Sequence, residues 1–152
     1  MRMQLDDLDS LYQEIILDHY KSPRNQGLIQ DPDMNAEGFN PFCGDRVVLT
    51  AGINADGRIK KVGLTGEGCA ISQSSASMLS EAIKGLDLEE AKGLIARFRG
   101  MMQGDDLSEE DEESLGDLVV LQGVRQYPIR IKCALLAWST LQDAIAKLAS
   151  KK

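Results

Sequence analysis

The stretch that most limits how this chain can fold is a pair of β-rich runs joined by Asn54-Ala55-Asp56-Gly57. In residues 46–53 the apolar side chains alternate, with Val47, Leu49, Ala51 and Ile53 on one side, and residues 58–65 carry Ile59, Val62 and Leu64. Alternation with period two is what a strand with one buried face requires. The polar junction ending in glycine has the chemistry of a hairpin turn, so the two runs are predicted to pair antiparallel. The apolar phase shifts between Ile59 and Val62, which predicts a bulge or a twisted end there. A lone hairpin is marginal in water, so other parts of the chain must cover its apolar face.

Those parts read mainly as helices. Leu8, Leu11, Tyr12, Ile15, Ile16 and His19 recur at helical spacing, with Asp6 or Asp7 placed to cap the start and Pro23 beyond the end. His19, the only histidine, falls on the apolar side and is read as a packing or capping residue before it is read as a ligand. Residues 21–42 hold three of the four prolines and read mostly as loop, with room for one short strand. Ile71, Ser75, Met78, Leu79 and Ile83 trace a helix over 70–84, and Asp87 caps another over about 88–102. Ser108-Glu109-Glu110-Asp111 has the form of a capping box and starts a short helix toward Leu115. Beyond Gly123 and Pro128 a last helix is predicted over about 131–150, with Ala134, Trp138, Leu141, Ile145 and Leu148 along one stripe. A hairpin followed by helices is the α+β class, and 152 residues with a 43% hydrophobic fraction make one domain, 1–152.

The net charge of −7 is placed unevenly: residues 105–113 supply seven acids with no Lys or Arg among them, and outside that segment 17 acidic residues face 17 basic ones. A chain with no basic excess lacks the stripe that neutralises phosphates, so nucleic acid is not an expected ligand. The acidic segment reads as a solvated helix face or loop, or as a contact for a basic partner. No apolar run approaches the ~18 residues of a membrane-spanning helix. Met1-Arg2-Met3-Gln4-Leu5-Asp6-Asp7 turns acidic where a signal peptide would turn apolar, so a cytoplasmic location is expected.

Three cysteines, Cys43, Cys69 and Cys133, are an odd count for a disulfide framework and point to metal binding or thiol chemistry. Any one of them could equally be a small buried hydrophobe. Their positions favour chemistry: Cys43 precedes a strand in a loop flanked by Pro and Gly, while Cys69 and Cys133 fall at predicted helix starts, where free N–H groups favour a thiolate. Asp45 adds an oxygen donor, and Gly44 leaves room for Cys43 and Asp45 to approach one ion. Three sulfurs and one oxygen are the four donors of a closed tetrahedral zinc site, provided that the three segments converge. Competing motifs are weaker. Gly66-Glu67-Gly68 lacks the third glycine of a dinucleotide fingerprint and the Lys-Ser/Thr of a P-loop. A cysteine hydrolase needs an imidazole base beside its nucleophile, and a zinc hydrolase keeps one position open for water.

Four ordered motifs carry a resemblance: Leu17-Asp18-His19-Tyr20 with Pro23-Arg24-Asn25, Asn40-Pro41-Phe42-Cys43-Gly44-Asp45, Gly66-Glu67-Gly68-Cys69-Ala70-Ile71-Ser72, and Arg130-Ile131-Lys132-Cys133-Ala134. The chain resembles SufU-type iron–sulfur cluster assembly proteins within the wider IscU/NifU family, over nearly its whole length. The resemblance implies a small, mainly antiparallel three-stranded sheet packed against several helices. It also implies that Cys43, Asp45, Cys69 and Cys133 bind zinc or a cluster. Two features separate the chain from the IscU branch: Lys132 stands where that branch has a histidine, and Tyr127-Pro128-Ile129-Arg130-Ile131 replaces its Leu-Pro-Pro-Val-Lys chaperone motif. Residues 101–120 fit the insertion of the SufU branch.

The partner implied by resemblance is a pyridoxal-phosphate cysteine desulfurase of the SufS type, with a downstream Suf scaffold or apo iron–sulfur proteins as recipients. The expected activity is zinc-dependent sulfur acceptance, with Cys43 taking persulfide sulfur, as an accessory to the desulfurase rather than as a stand-alone enzyme. Two other readings remain open at this point: a scaffold holding a nascent [2Fe–2S] cluster on the same ligands, and a zinc-stabilised interaction module without sulfur chemistry. Arg125, Arg130 and Lys132, close to Cys133 in sequence, are expected either to hold thiolate or persulfide charge or to be surface residues.

Overall fold

The computed structural model describes residues 5–41 and 44–150, with residues 5–12 in backbone only. Strands β1 (Met34–Asn40), β2 (Asp45–Ile53) and β3 (Ile59–Glu67) form an antiparallel sheet in the order β1-β2-β3. Helices α1 (Leu5–Lys21), α2 (Ala70–Ala82), α3 (Leu88–Met102), α4 (Glu109–Leu115) and α5 (Pro128–Ser150) complete the fold, with a 3-10 segment, Gly116–Gln126, between α4 and α5. This is the expected α+β arrangement. Among the described residues, no helix is long and apolar enough to cross a membrane.

The hairpin forms where the alternation places it. Asn54 closes the turn, its side-chain oxygen accepting from the backbone N–H groups of Asp56 and Arg58 at 3.0 Å each. The phase shift is a bulge: Ile53 pairs with Ile59 and Gly52 with Lys61, so Lys60 has no partner, and Ile59 and Val62 are both buried. Strand β1 is the short strand for which residues 21–42 left room. Its Asn, Glu and Gly residues have little strand preference of their own, and pairing with β2 together with cover from α5 holds it in place.

Helix α5 lies over β1 and β2 and against α2, which in turn covers β3 and packs on α1. Five buried serines, Ser72, Ser74, Ser75, Ser77 and Ser80, line α2. Their small side chains let neighbours come close, and their hydroxyls use the polar groups they meet. Ser74 donates to the Ile16 carbonyl on α1 (2.6 Å) and Ser75 to the Ala134 carbonyl on α5 (2.6 Å), while Ser75 also accepts the Trp138 indole N–H (3.0 Å). Trp138 stacks on Phe98 of α3 with ring centroids 4.3 Å apart, joining α3 to the same core.

Two expectations need correction, the starts of α1 and α5. Helix α1 starts at Leu5, so Asp6 and Asp7 lie inside it rather than capping it. Helix α5 starts at Pro128 rather than near residue 131, because a proline in the first turn needs no N–H partner and has a φ already suited to a helix. Cys133 is therefore in the second turn, not at the helix start. The acidic segment forms α4 with the predicted Ser108–Asp111 capping box, but the chain then tightens into 3-10 geometry, and Leu118, Leu121 and Val124 are buried from there.

Helix α5 approaches β1 at Gly38, where an added Cβ would overlap the Thr140 Oγ1 and lie 3.1 Å from Leu136 Cδ1. Gly38→Ala is expected to lower stability by about 1–3 kcal/mol through overpacking, with Thr140→Ala recovering part of the loss. The urea midpoints of the two single variants and the double variant check this.

Candidate metal centre

The site is built where β2, α2 and α5 begin. Register pairing of Asn40 with Asp45 puts Asp45 at the first position of β2, and Glu67 ends β3 two residues before Cys69. Asp45 Oδ1 accepts the backbone N–H of Cys69 at 2.8 Å, tying the strand to the helix that follows. Cys69 is the N-cap of α2; its sulfur accepts the Ser72 N–H at 3.5 Å and lies 3.9 Å from Asp45 Oδ2. Cys133, fully buried on α5, completes a cluster in which one ligand atom from each of Asp45, Cys69 and Cys133 lies within 4.8 Å of the others. Cys43 lies outside the described residues, in the four-residue connection between the paired residues Asn40 and Asp45.

The donor chemistry suits a soft divalent ion. In a tetrahedral zinc site, with Zn–S near 2.3 Å, adjacent donors stand roughly 3.5–4 Å apart, so three atoms within 4.8 Å need only a small contraction. The burial of Asp45 points the same way. Its side chain has no exposed area, and a carboxylate out of water is costly unless its charge is met. One backbone N–H serves Oδ1, while a thiol at 3.9 Å is a weak partner for Oδ2. A cation shared with the two sulfurs would supply the missing compensation.

Two glycines flank the carboxylate in the chain or in space. Gly44 takes a left-handed backbone (φ 67°), which favours glycine at that position. Gly68, noted from sequence only as part of an incomplete anion loop, has φ 145°; a Cβ there would strike Asp45 Oδ1 and come within 2.9 Å of Asp45 Cα. Its bare backbone thus lets the turn into α2 close over the carboxylate.

The remaining candidates do not all converge. Arg125 donates to the carbonyls of Met101 and Gln122 and to Gln122 Oε1, each at 3.3 Å, so it braces the end of α3 instead of holding either described sulfur. Arg130 and Lys132 are exposed on the first turns of α5. Arg130 edges an apolar groove with Ile71 and Tyr127. His19 is buried at the other end of α2, with Nδ1 2.8 Å from Ser77 Oγ. Burial, and then the nearby Arg24, hold its imidazole below the usual range, and its burial against Ser77 places it in the packing of α1 on α2. Asn40 was noted from sequence only within a motif. Its side-chain N–H donates to Cys133 Sγ at 3.6 Å, a contact that only the β1–α5 packing reveals.

The family model of the NifU-like N terminal domain matches residues 11–134. The chain is 46% identical over 144 residues to the zinc-dependent sulfurtransferase SufU of Bacillus subtilis (strain 168), covering 93% of each. It is 37% identical over 148 residues to the iron–sulfur cluster assembly scaffold protein IscU of Streptococcus pyogenes serotype M1, covering 97% of this chain and 91% of that one. Among solved structures it resembles an iron–sulfur cluster assembly scaffold protein for the SUF system from Fervidobacterium islandicum AW-1, with a TM-score of 0.82 and 35% identity over 90% of this chain and 97% of that one.

Gly68→Ala is expected to push Asp45 out of the cluster and to lower zinc affinity by about 10-fold or more. Competition against a chromophoric chelator measures it, and unchanged affinity would remove Gly68 from the site.

Proposed function

Because the chain belongs to the NifU-like N-terminal domain family, we propose that it serves iron–sulfur cluster assembly as a zinc-dependent sulfur acceptor, taking persulfide sulfur from a SufS-type cysteine desulfurase. The observation that carries this reading is the meeting of Asp45, Cys69 and Cys133 within 4.8 Å, with Cys43 two residues from Asp45 in sequence. Zinc, when bound, keeps the thiols deprotonated and ordered.

In this reading the four ligands have unequal roles. Asp45, Cys69 and Cys133 stand on β2, at the start of α2 and on α5, whereas Cys43 falls in sequence between β1 and β2. A thiolate tied to an ion is a weak nucleophile, so docking of the desulfurase must release Cys43. The Cys43 thiolate then attacks the outer sulfur of the partner's persulfide. A sulfur–sulfur bond forms at Cys43, the bond within the partner's persulfide breaks, and the partner cysteine leaves as a thiolate. The exchange needs no outside oxidant or reductant. The sulfur passes on to a Suf scaffold or to apo iron–sulfur proteins.

A second reading, a scaffold for a nascent [2Fe–2S] cluster, draws on the relatives named IscU and on the same four donors, which also suit two irons. Lys132, where the IscU branch has a histidine, favours the acceptor.

Cys43→Ser is expected to fold as the parent does, by circular dichroism, while losing persulfide uptake and the stimulation of desulfurase turnover. Undiminished persulfide on the variant contradicts the acceptor reading. A parent protein that gives no stimulation at all supports an interaction module instead.

A further inference from the structure

We propose that Asn40 is a positioning residue that holds the Cys133 thiolate in place, so that Cys133 stays in the metal centre when Cys43 leaves it. The inference rests on the sulfur-acceptor reading for its purpose and on separate geometry for its substance.

Asn40 closes β1 and is buried, at 6% exposed. Its backbone is fixed by pairing with Asp45, itself one of the clustered donors, and by Pro41, which restricts the residue before it to extended geometry. From that position Nδ2 donates to Cys133 Sγ across 3.6 Å, bridging 93 residues of sequence. Cys133 cannot take the help from its own helix that Cys69 takes. Cys69 is an N-cap and accepts a free N–H from Ser72, whereas Cys133 lies in the second turn of α5, where backbone N–H groups are committed to carbonyls one turn back. The Cys133 thiol lies 3.9 Å from the Ile129 carbonyl of its own helix, an acceptor, and the side chain of Asn40 reaches it from another element as a donor.

An N–H···S bond draws electron density from a thiolate, lowers its nucleophilicity and fixes its direction toward an ion. Cys69 and Cys133 each have such a donor, one from backbone and one from a side chain. Both sulfurs are thereby made poor attackers and good permanent ligands, which is the division of roles that the sulfur-acceptor reading requires. Asn40 acts through Cys133.

The test compares the full-length parent with Asn40→Leu, which keeps the volume and removes the donor, and with Asn40→Ala, which removes both. Zinc affinity by chelator competition should fall about 10-fold or more in both variants. In the cobalt(II)-substituted proteins the sulfur-to-cobalt charge-transfer absorption should move to lower energy in both, as expected for a more electron-rich thiolate. Asn40→Leu binding zinc within twofold of the parent, with an unmoved charge-transfer band, would overturn the proposal. So would a loss confined to Asn40→Ala, which would assign Asn40 to packing. Neither readout involves sulfur transfer, so a parent that binds zinc but accepts no sulfur would defeat the proposed function and leave this inference standing.

Discussion

The buried carboxylate of Asp45 is the constraint on which the site depends. It has no exposed surface, and it accepts the Cys69 N–H at 2.8 Å. A group of that kind is strongly unfavourable out of water unless its charge is compensated. Three local features serve the compensation. Gly68 lets the chain pass close over the carboxylate, Cys69 begins α2 with a free N–H aimed at it, and two sulfurs stand beside it where a shared cation would sit. The site thus becomes a place where removing one donor leaves the others with uncompensated charge.

The convergence of the donors depends on α2. Its buried serines carry hydrogen bonds to α1 and α5, and the link from Ser75 to the carbonyl of Ala134 fixes the turn of α5 that holds Cys133. The covering of β1 by α5 then brings Asn40 to the Cys133 sulfur. Pairing of Asn40 with Asp45 returns the chain to the carboxylate. Strand, helix and helix therefore meet through a closed circuit of named contacts, and Cys43 lies on the short connection that this circuit leaves between β1 and β2.

Much of this was legible in the sequence, and the reasons differ by residue. The hairpin and its bulge could be read because Val47, Leu49, Ile59 and Val62 each report which way their own backbone faces. The α3 cap at Asp87 and the α4 cap at Ser108 could be read because capping is local chemistry. Strand β1 could be anticipated only as a gap to be filled, since Asn35, Glu37 and Gly38 form a strand through pairing rather than preference. Ligand chemistry grouped Cys69, Cys133 and Asp45, but the roles of Gly68, Asn40 and Arg125 were hidden. A glycine shows that space is needed without showing for what, and contacts across 24 or 93 residues have no local signal. The contacts of Arg125 with Met101 and Gln122 could not be read because nearness to Cys133 in sequence does not decide which way a 3-10 segment points its side chains.

The central claim is that one ion is held by Cys43, Asp45, Cys69 and Cys133. X-ray absorption at the zinc edge of the purified protein tests it most directly. The account predicts three sulfurs at about 2.3 Å and one oxygen at about 2.0–2.2 Å, with no imidazole scattering, because His19 is committed to Ser77. Two sulfurs with two nitrogen or oxygen donors, or an imidazole in the coordination shell, would contradict it.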